Sequence, residues 1–253
     1  MLSNWLFQVG DRNPQLWREV KGRVKWSSVL VAVAVSLVVQ LLILGRNWRS
    51  FSFAFRPSWW FDVFDMTTSV ALLFLLFVGG YLLVMDLVQE ERRGTLEFVR
   101  LSPEPSHSIL LGKLLGVPAL LYIAIAATVP LHLWAAGNAR LSLLTIGGTY
   151  LLATASCGVV YAFAVLHVLS RGAKAQVWYV LPVPCVIYSV LYLLKTYGYF
   201  QDQLVKARHV FSTVTFEPSA KFLLVVSFWL VAFALIALTA WWECVKRFRR
   251  PHV

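Results

Sequence analysis

The sequence predicts an all-α, polytopic membrane protein. It has six transmembrane helices, an N-terminal amphipathic interfacial helix and a short cytoplasmic helix between two spans. Three observations carry this. The 253 residues are 59% hydrophobic, only 14% are charged, and mean hydropathy is +0.69. Soluble domains sit near 45–50% apolar and about 25% charged. Six apolar runs stand out, at about 27–45, 66–86, 114–135, 141–169, 176–194 and 221–242, each near the roughly 20 residues a bilayer requires. The Lys and Arg residues flank these runs, as topology signals do.

Residues 1–26 are expected to be a cytoplasmic N-terminal segment, 27–245 the membrane domain and 246–253 a basic cytoplasmic tail. Polar and basic residues precede the first run and no small-residue cleavage site follows it, so that run is expected to be a permanent span. With both termini inside, 15 Lys and Arg fall on inside segments and 8 outside. The expected location is thus the plasma membrane, with both ends cytoplasmic. The net charge of +11 follows from these flanks and implies contact with anionic lipid, not nucleic acid. Trp26, Trp48, Trp134, Trp178, Trp241 and Trp242 stand at run ends, where an aromatic belt would lie.

Before the first run, "NPQLWREVKGRVKW" reads as a helix capped by Asn13 with Pro14 at its first position. Leu16, Val20 and Val24 form one stripe with Trp17 beside it, while Arg18, Lys21, Arg23 and Lys25 lie largely off it. That pattern suits a helix on the inner membrane face. Residues 46–65 are aromatic and suit the outer interface. Residues 195–220 form the longest outer segment, with "QDQLVKARHVF" a candidate short helix. Pro118, Pro130, Pro182 and Pro184 lie in or beside spans, where neighbouring helices can satisfy the freed carbonyls.

Little covalent chemistry is available. Cys157, Cys185 and Cys244 form no paired motif and read as packed thiols. His132, His167 and Asp86 fall near span ends and read as interfacial or bundle-facing groups. "EERR" and "FAVLH" partly match the motifs of membrane-embedded CAAX-type proteases. Thr95 stands where those need Arg, and the partner His/Asn spacing is missing. Gly112-Lys113 is followed by Leu114, with no Gly five positions upstream of Gly112, so no phosphate-binding loop exists there. No enzyme activity, metal or cofactor is expected in this chain.

"EERRGTLEFVRLSPEPSHSILLGKLLG", residues 90–116, is the charged block between the second and third runs. A helix is expected at about 89–101, stopped by Ser102-Pro103 and Pro105, with its charges facing water or a partner. Gly94 is expected to let another backbone come close. This stretch resembles the coupling-helix region of type-2 ABC exporter permeases. There a Glu, Gly-Thr-Leu-Glu, a Ser/Thr-Pro break and Gly-Lys recur at similar spacing, and "NPQLWREVKGRVK" is similar to their connecting helix.

The resemblance implies a permease subunit that switches access while a separate ATP-binding subunit, carrying ATP and Mg, hydrolyses the nucleotide. It also implies a second permease chain, as homodimer or heterodimer. Glu90, Glu91, Arg92, Arg93, Gly94, Thr95 and Glu97 would contact the ATP-binding subunit. Leu16, Trp17, Arg18, Val20, Arg23 and Val24 would form the connecting helix. A pathway lined mainly by Phe, Leu, Val and small residues fits an amphipathic or lipid-like cargo. The competing readings are a secondary transporter, a structural subunit of a membrane complex, or an intramembrane hydrolase.

Overall fold

The computed structural model describes residues 13–46, 57–175, 183–188 and 220–249. Those residues are almost entirely helical and contain no strand. The helices are α1 (Pro14–Arg23), α2 (Trp26–Arg46), α3 (Pro57–Leu73), α4 (Gly80–Arg93), α5 (Thr95–Arg100), α6 (Ser106–Gly116), α7 (Ala119–Ala126), α8 (Val129–Asn138), α9 (Leu143–Arg171) and α10 (Ala220–Phe248). A π-helical segment, Phe74–Gly79, joins α3 to α4, and 183–188 form one further short helix.

Five stretches are long and apolar enough to cross a membrane: Trp26–Arg46, Trp59–Arg93, Ala119–Asn138, Leu143–Arg171 and Leu223–Phe248. They match five of the six expected runs. Most of the sixth, 176–194, and the 195–220 segment lie outside the described residues, as do Trp48 and Trp178.

Local chemistry sets the ends. Asn13 Oδ1 accepts from Leu16 N at 2.8 Å and Pro14 opens α1, as the sequence predicts. Ser142 Oγ accepts from Thr145 N at 3.2 Å and starts α9, a helix of 29 residues. Two expectations change. The aromatic stretch 46–65 is not wholly an interfacial connection: from Pro57 onward it is helix, and Trp59–Arg93 runs as 35 continuous residues. Burying Trp59, Val63 and Phe64 against Ala135 and Ala136 makes helix favourable there. The third run is three helices, not one. Pro118 follows α6, and Pro130 opens α8 after a break at Ala127–Thr128. Gln40 of α2 donates to the Ala127 carbonyl at 3.3 Å, satisfying the backbone at that break.

Packing divides into two clusters. One joins Ile43, Trp59, Val63, Phe64, Ala135 and Ala136 near the ends of α2 and α8 and the start of α3. Beside it, Thr68 Oγ1 and Tyr150 Oη lie 2.8 and 2.9 Å from the two ring nitrogens of His132. His132, expected near a span end, is thus bundle-facing and paired. The larger cluster joins α4, α5, α6, α9 and α10 through Leu83, Leu87, Leu96, Leu110, Val160 and Phe248 among others. Gly158 lets α10 approach α9 at Ala237, and Cys244 Sγ donates to the Ala162 carbonyl at 3.3 Å. Cys244 is thus a packed thiol and Cys157 is half-buried, whereas Cys185 is exposed.

Candidate functional site: a charged turn locked to the N-terminal helix

The block 90–116 folds as a helical turn, α4–α5–α6, with α1 laid across it. It is not one helix over 89–101. The chain breaks at Gly94, whose φ of +70° ends α4. That left-handed conformation is the reason for a glycine, since it costs other L-residues about 1–2 kcal/mol. Space around Gly94 is open, so no neighbouring backbone approaches it as expected. α5 then runs from Thr95 to Arg100.

The close approach occurs instead at Gly112 and Gly116, one turn apart on α6. A Cβ at Gly112 would stand 2.8 Å from the Leu16 backbone nitrogen, and one at Gly116 would stand 2.4 Å from Glu19 Cβ. Small residues four apart let two helix backbones touch, and here they admit α1. Asn13 adds a cross-link, its Nδ2 donating to the Ser108 carbonyl at 2.8 Å.

α1 therefore turns Gln15 and Glu19 inward, and both are buried. Leu16, Trp17, Val20, Arg23 and Val24 are half-buried, and Arg18 and Lys21 are exposed. The buried polar face meets Lys113, which is wholly enclosed. Lys113 Nζ lies 3.2 Å from Glu19 Oε1, 3.1 Å from Asp86 Oδ2 and 2.7 Å from Glu90 Oε2. Arg23 pairs with Glu19 at 3.2 Å and with Asp86, and Arg18 reaches Glu90 at 3.6 Å. Three carboxylates thus meet three cations.

Glu19, Asp86 and Glu90 hold oxygens within 4.8 Å of one another, a donor set of the kind that holds a hard cation. The ammonium of Lys113 supplies that positive charge. Burial opposes the charged form of Lys113, but Asp86, Glu90 and Glu19 outweigh it and raise its pKa above the ordinary 10.5. Arg23 behaves alike: burial lowers its pKa, and Asp86 and Glu19 raise it further.

The sequence-predicted contact residues divide. Glu90 and Glu91 are half-buried, and both point into the protein: Glu90 toward Lys113 and Arg18, Glu91 toward Arg100 at 3.4 Å. They do not simply face water or a partner, because Lys113 and Arg100, both buried, require counter-charges. Arg92, Arg93, Thr95 and Glu97 are exposed, and Glu97 also pairs with Arg100 at 2.7 Å. Two residues that charge-based reading missed stand out on the same surface. Phe98 is 77% exposed and Leu101 82% exposed, on a segment outside every apolar span. Beside them a cleft of about 380 Å³ is lined by Pro14, Gln15, Arg18, Phe98, Val99 and Glu104 among others. The sequence does not single them out, because Leu96 and Val99 in the same turn are also apolar and only the fold shows that Leu96 is buried while Phe98 and Leu101 face outward.

No family model, curated protein or solved structure matches this chain.

Proposed function

We propose that this chain is the membrane-spanning permease subunit of an ABC exporter, and that α5 with its flanks docks on a separate ATP-binding subunit. One observation carries the reading: an outward-facing apolar pair, Phe98 on α5 and Leu101 just past its end, in a charged turn between two spans. Isolated exposed apolar residues are ordinary, but a pair beside a cleft suits a protein contact. Exposed Arg92, Arg93, Thr95 and Glu97 would form its polar rim. The resemblance of residues 90–116 and 13–25 to the coupling and connecting helices of type-2 exporters supports the same assignment. Motion of the partner at α5 would reach the spans as rigid-body movement.

In this reading ATP and Mg belong to the partner, a second permease chain completes the pathway, and the cargo is amphipathic or lipid-like. Six spans with both ends in the cytoplasm of a prokaryotic cell complete the proposal.

The test is purification of the tagged chain from its native membranes, with ATPase activity measured before and after stripping partners. Activity is expected in the complex and not in the isolated chain. Phe98→Asp with Leu101→Asp is expected to remove both the partner and the activity while leaving the chain's own melting unchanged. ATP hydrolysis by the isolated chain, or a fully coupled complex with both aspartates in place, rejects the proposal.

A further inference from the structure

The second membrane-crossing helix changes its winding in mid-course. From Phe74 to Gly79 it is π-helical, between regular helix on either side. A π turn holds more residues than an α turn, fits its own hydrogen bonds less well, and recurs at functional positions in helices. The widened segment is held from outside. Tyr161 of α9, almost wholly buried, donates its hydroxyl to the Leu75 carbonyl at 2.9 Å. Gly79 makes the recess for that ring: a Cβ there would stand 2.1 Å from the Tyr161 hydroxyl oxygen. A Cβ at Gly80 would likewise stand 3.0 Å from Val160 Cγ1.

The position of this segment matters. Val70, before it, packs with the cluster around Trp59 and Phe64, while Leu76 and Leu83 belong to the cluster around α4, α9 and α10. The third crossing is interrupted between the same two clusters, where α7 ends at Ala126 and α8 begins at Val129. Only α9 among these three crossings passes both clusters as one unbroken helix, with Tyr150 against His132 at one cluster and Tyr161 on the π segment at the other.

We infer that Phe74–Gly79 is a hinge between α3 and α4, and that Tyr161 is the latch that holds it in register. The charged turn α4–α5–α6 moves about this hinge while α3 and α8 stay packed together. The inference does not depend on what the turn contacts.

The test is hydrogen exchange of the whole chain in lipid nanodiscs, wild type against Tyr161→Phe. The variant keeps the ring in the Gly79 recess and removes only the hydroxyl. Exchange over residues 74–80 is expected to quicken by roughly two- to tenfold, the effect of one lost hydrogen bond on local opening. Exchange over 59–69 and 83–93 is expected to stay as in wild type. Unchanged exchange at 74–80, or an equal rise along the entire chain, overturns the latch. Deleting Val78 is a second arm, because removing one residue from a π turn restores regular helix. Slower exchange in the shortened segment supports the hinge. Exchange as fast as wild type there overturns it, and if the deletion does not fold, the Tyr161→Phe comparison decides alone.

Discussion

At the scale of single residues, Lys113 governs the charged cluster. Its ammonium is enclosed and faces three carboxylates. Lys113→Ala would leave Glu19, Asp86 and Glu90 with only Arg18 and Arg23 to offset them. Breaking a buried pair in this way costs about 3–5 kcal/mol. A clear fall in detergent melting temperature is therefore expected, and melting as in wild type would show that the cluster contributes nothing. The pH dependence follows from the sign of the shift. A lysine whose folded pKa is raised contributes stability that is fully present below the unfolded value, 10.5, and is lost as pH rises through the higher folded value. The lysine's contribution is expected to stay level from neutrality to 10.5 and to fall above it. Lys113→Met is expected to lack that alkaline fall, which a melting series across pH measures directly.

The sequence shows Lys113 only as a lysine after a glycine, and that spacing excludes a phosphate loop. It does not reveal the ion-pair role, because Glu19 is 94 positions away and no local pattern joins them. The same reason hid Glu90 and Glu91. Their charges read as surface groups until the buried cations opposite them are known. Phe98 and Leu101 were hidden too, since Leu96 and Val99 in the same turn are equally apolar and only the fold shows which of them face outward.

At the scale of elements, caps were readable and windings were not. Asn13-Pro14 and Ser142 start helices by bonds to residues three positions away, which a local reading can find. Pro118 and Pro130 stand at the breaks in the third crossing, but in the sequence they read as prolines tolerated within one continuous span. The π segment left no comparable mark. "FLLFVG" is ordinary span composition, and only the bond from Tyr161, 86 positions on, distinguishes it. Gly94 was noticed but given the wrong reason, because a glycine's φ and a close neighbour leave the same letter in a sequence. The two reasons predict different variants. Gly94→Ala is expected to lose about 1–2 kcal/mol through the left-handed φ, whereas Gly94→Asn, which tolerates that region, should stay close to wild type. At Gly116 the reason is space, so both Ala and Asn are expected to displace α1. A melting comparison of the four variants separates the cases: equal losses for Ala and Asn at Gly94 would reject the backbone explanation.

At the scale of the whole molecule, the helix ends support a prediction of how many crossings the chain makes. α1 lies on α6, beside the turn. Arg249, past the end of α10, donates to the Glu104 carbonyl at 2.6 Å in that same turn. Arg247 of α10 donates to Ser170, near the end of α9, at 3.1 Å. The N-terminal helix, the charged turn, the end of α9 and the end of α10 therefore share one side. Because α9 and α10 both end there, α10 begins at the far end of the bundle, and we predict one further crossing between Gly172 and Ala220. One apolar run, 176–194, is available for this. Together with the Lys and Arg distribution, this predicts six crossings, with the shared side cytoplasmic and Gln201 outside. Single cysteines at Gln201 and at Arg249, in a chain lacking Cys157, Cys185 and Cys244, test it on intact cells with an impermeant thiol reagent. Gln201→Cys is expected to label and Arg249→Cys to stay unlabelled until the membrane is opened. Labelling of both on intact cells would mean an odd number of crossings after Gln201 is wrong. Labelling of Arg249→Cys alone would turn the charged turn outward and remove it from reach of any cytoplasmic ATP-binding subunit.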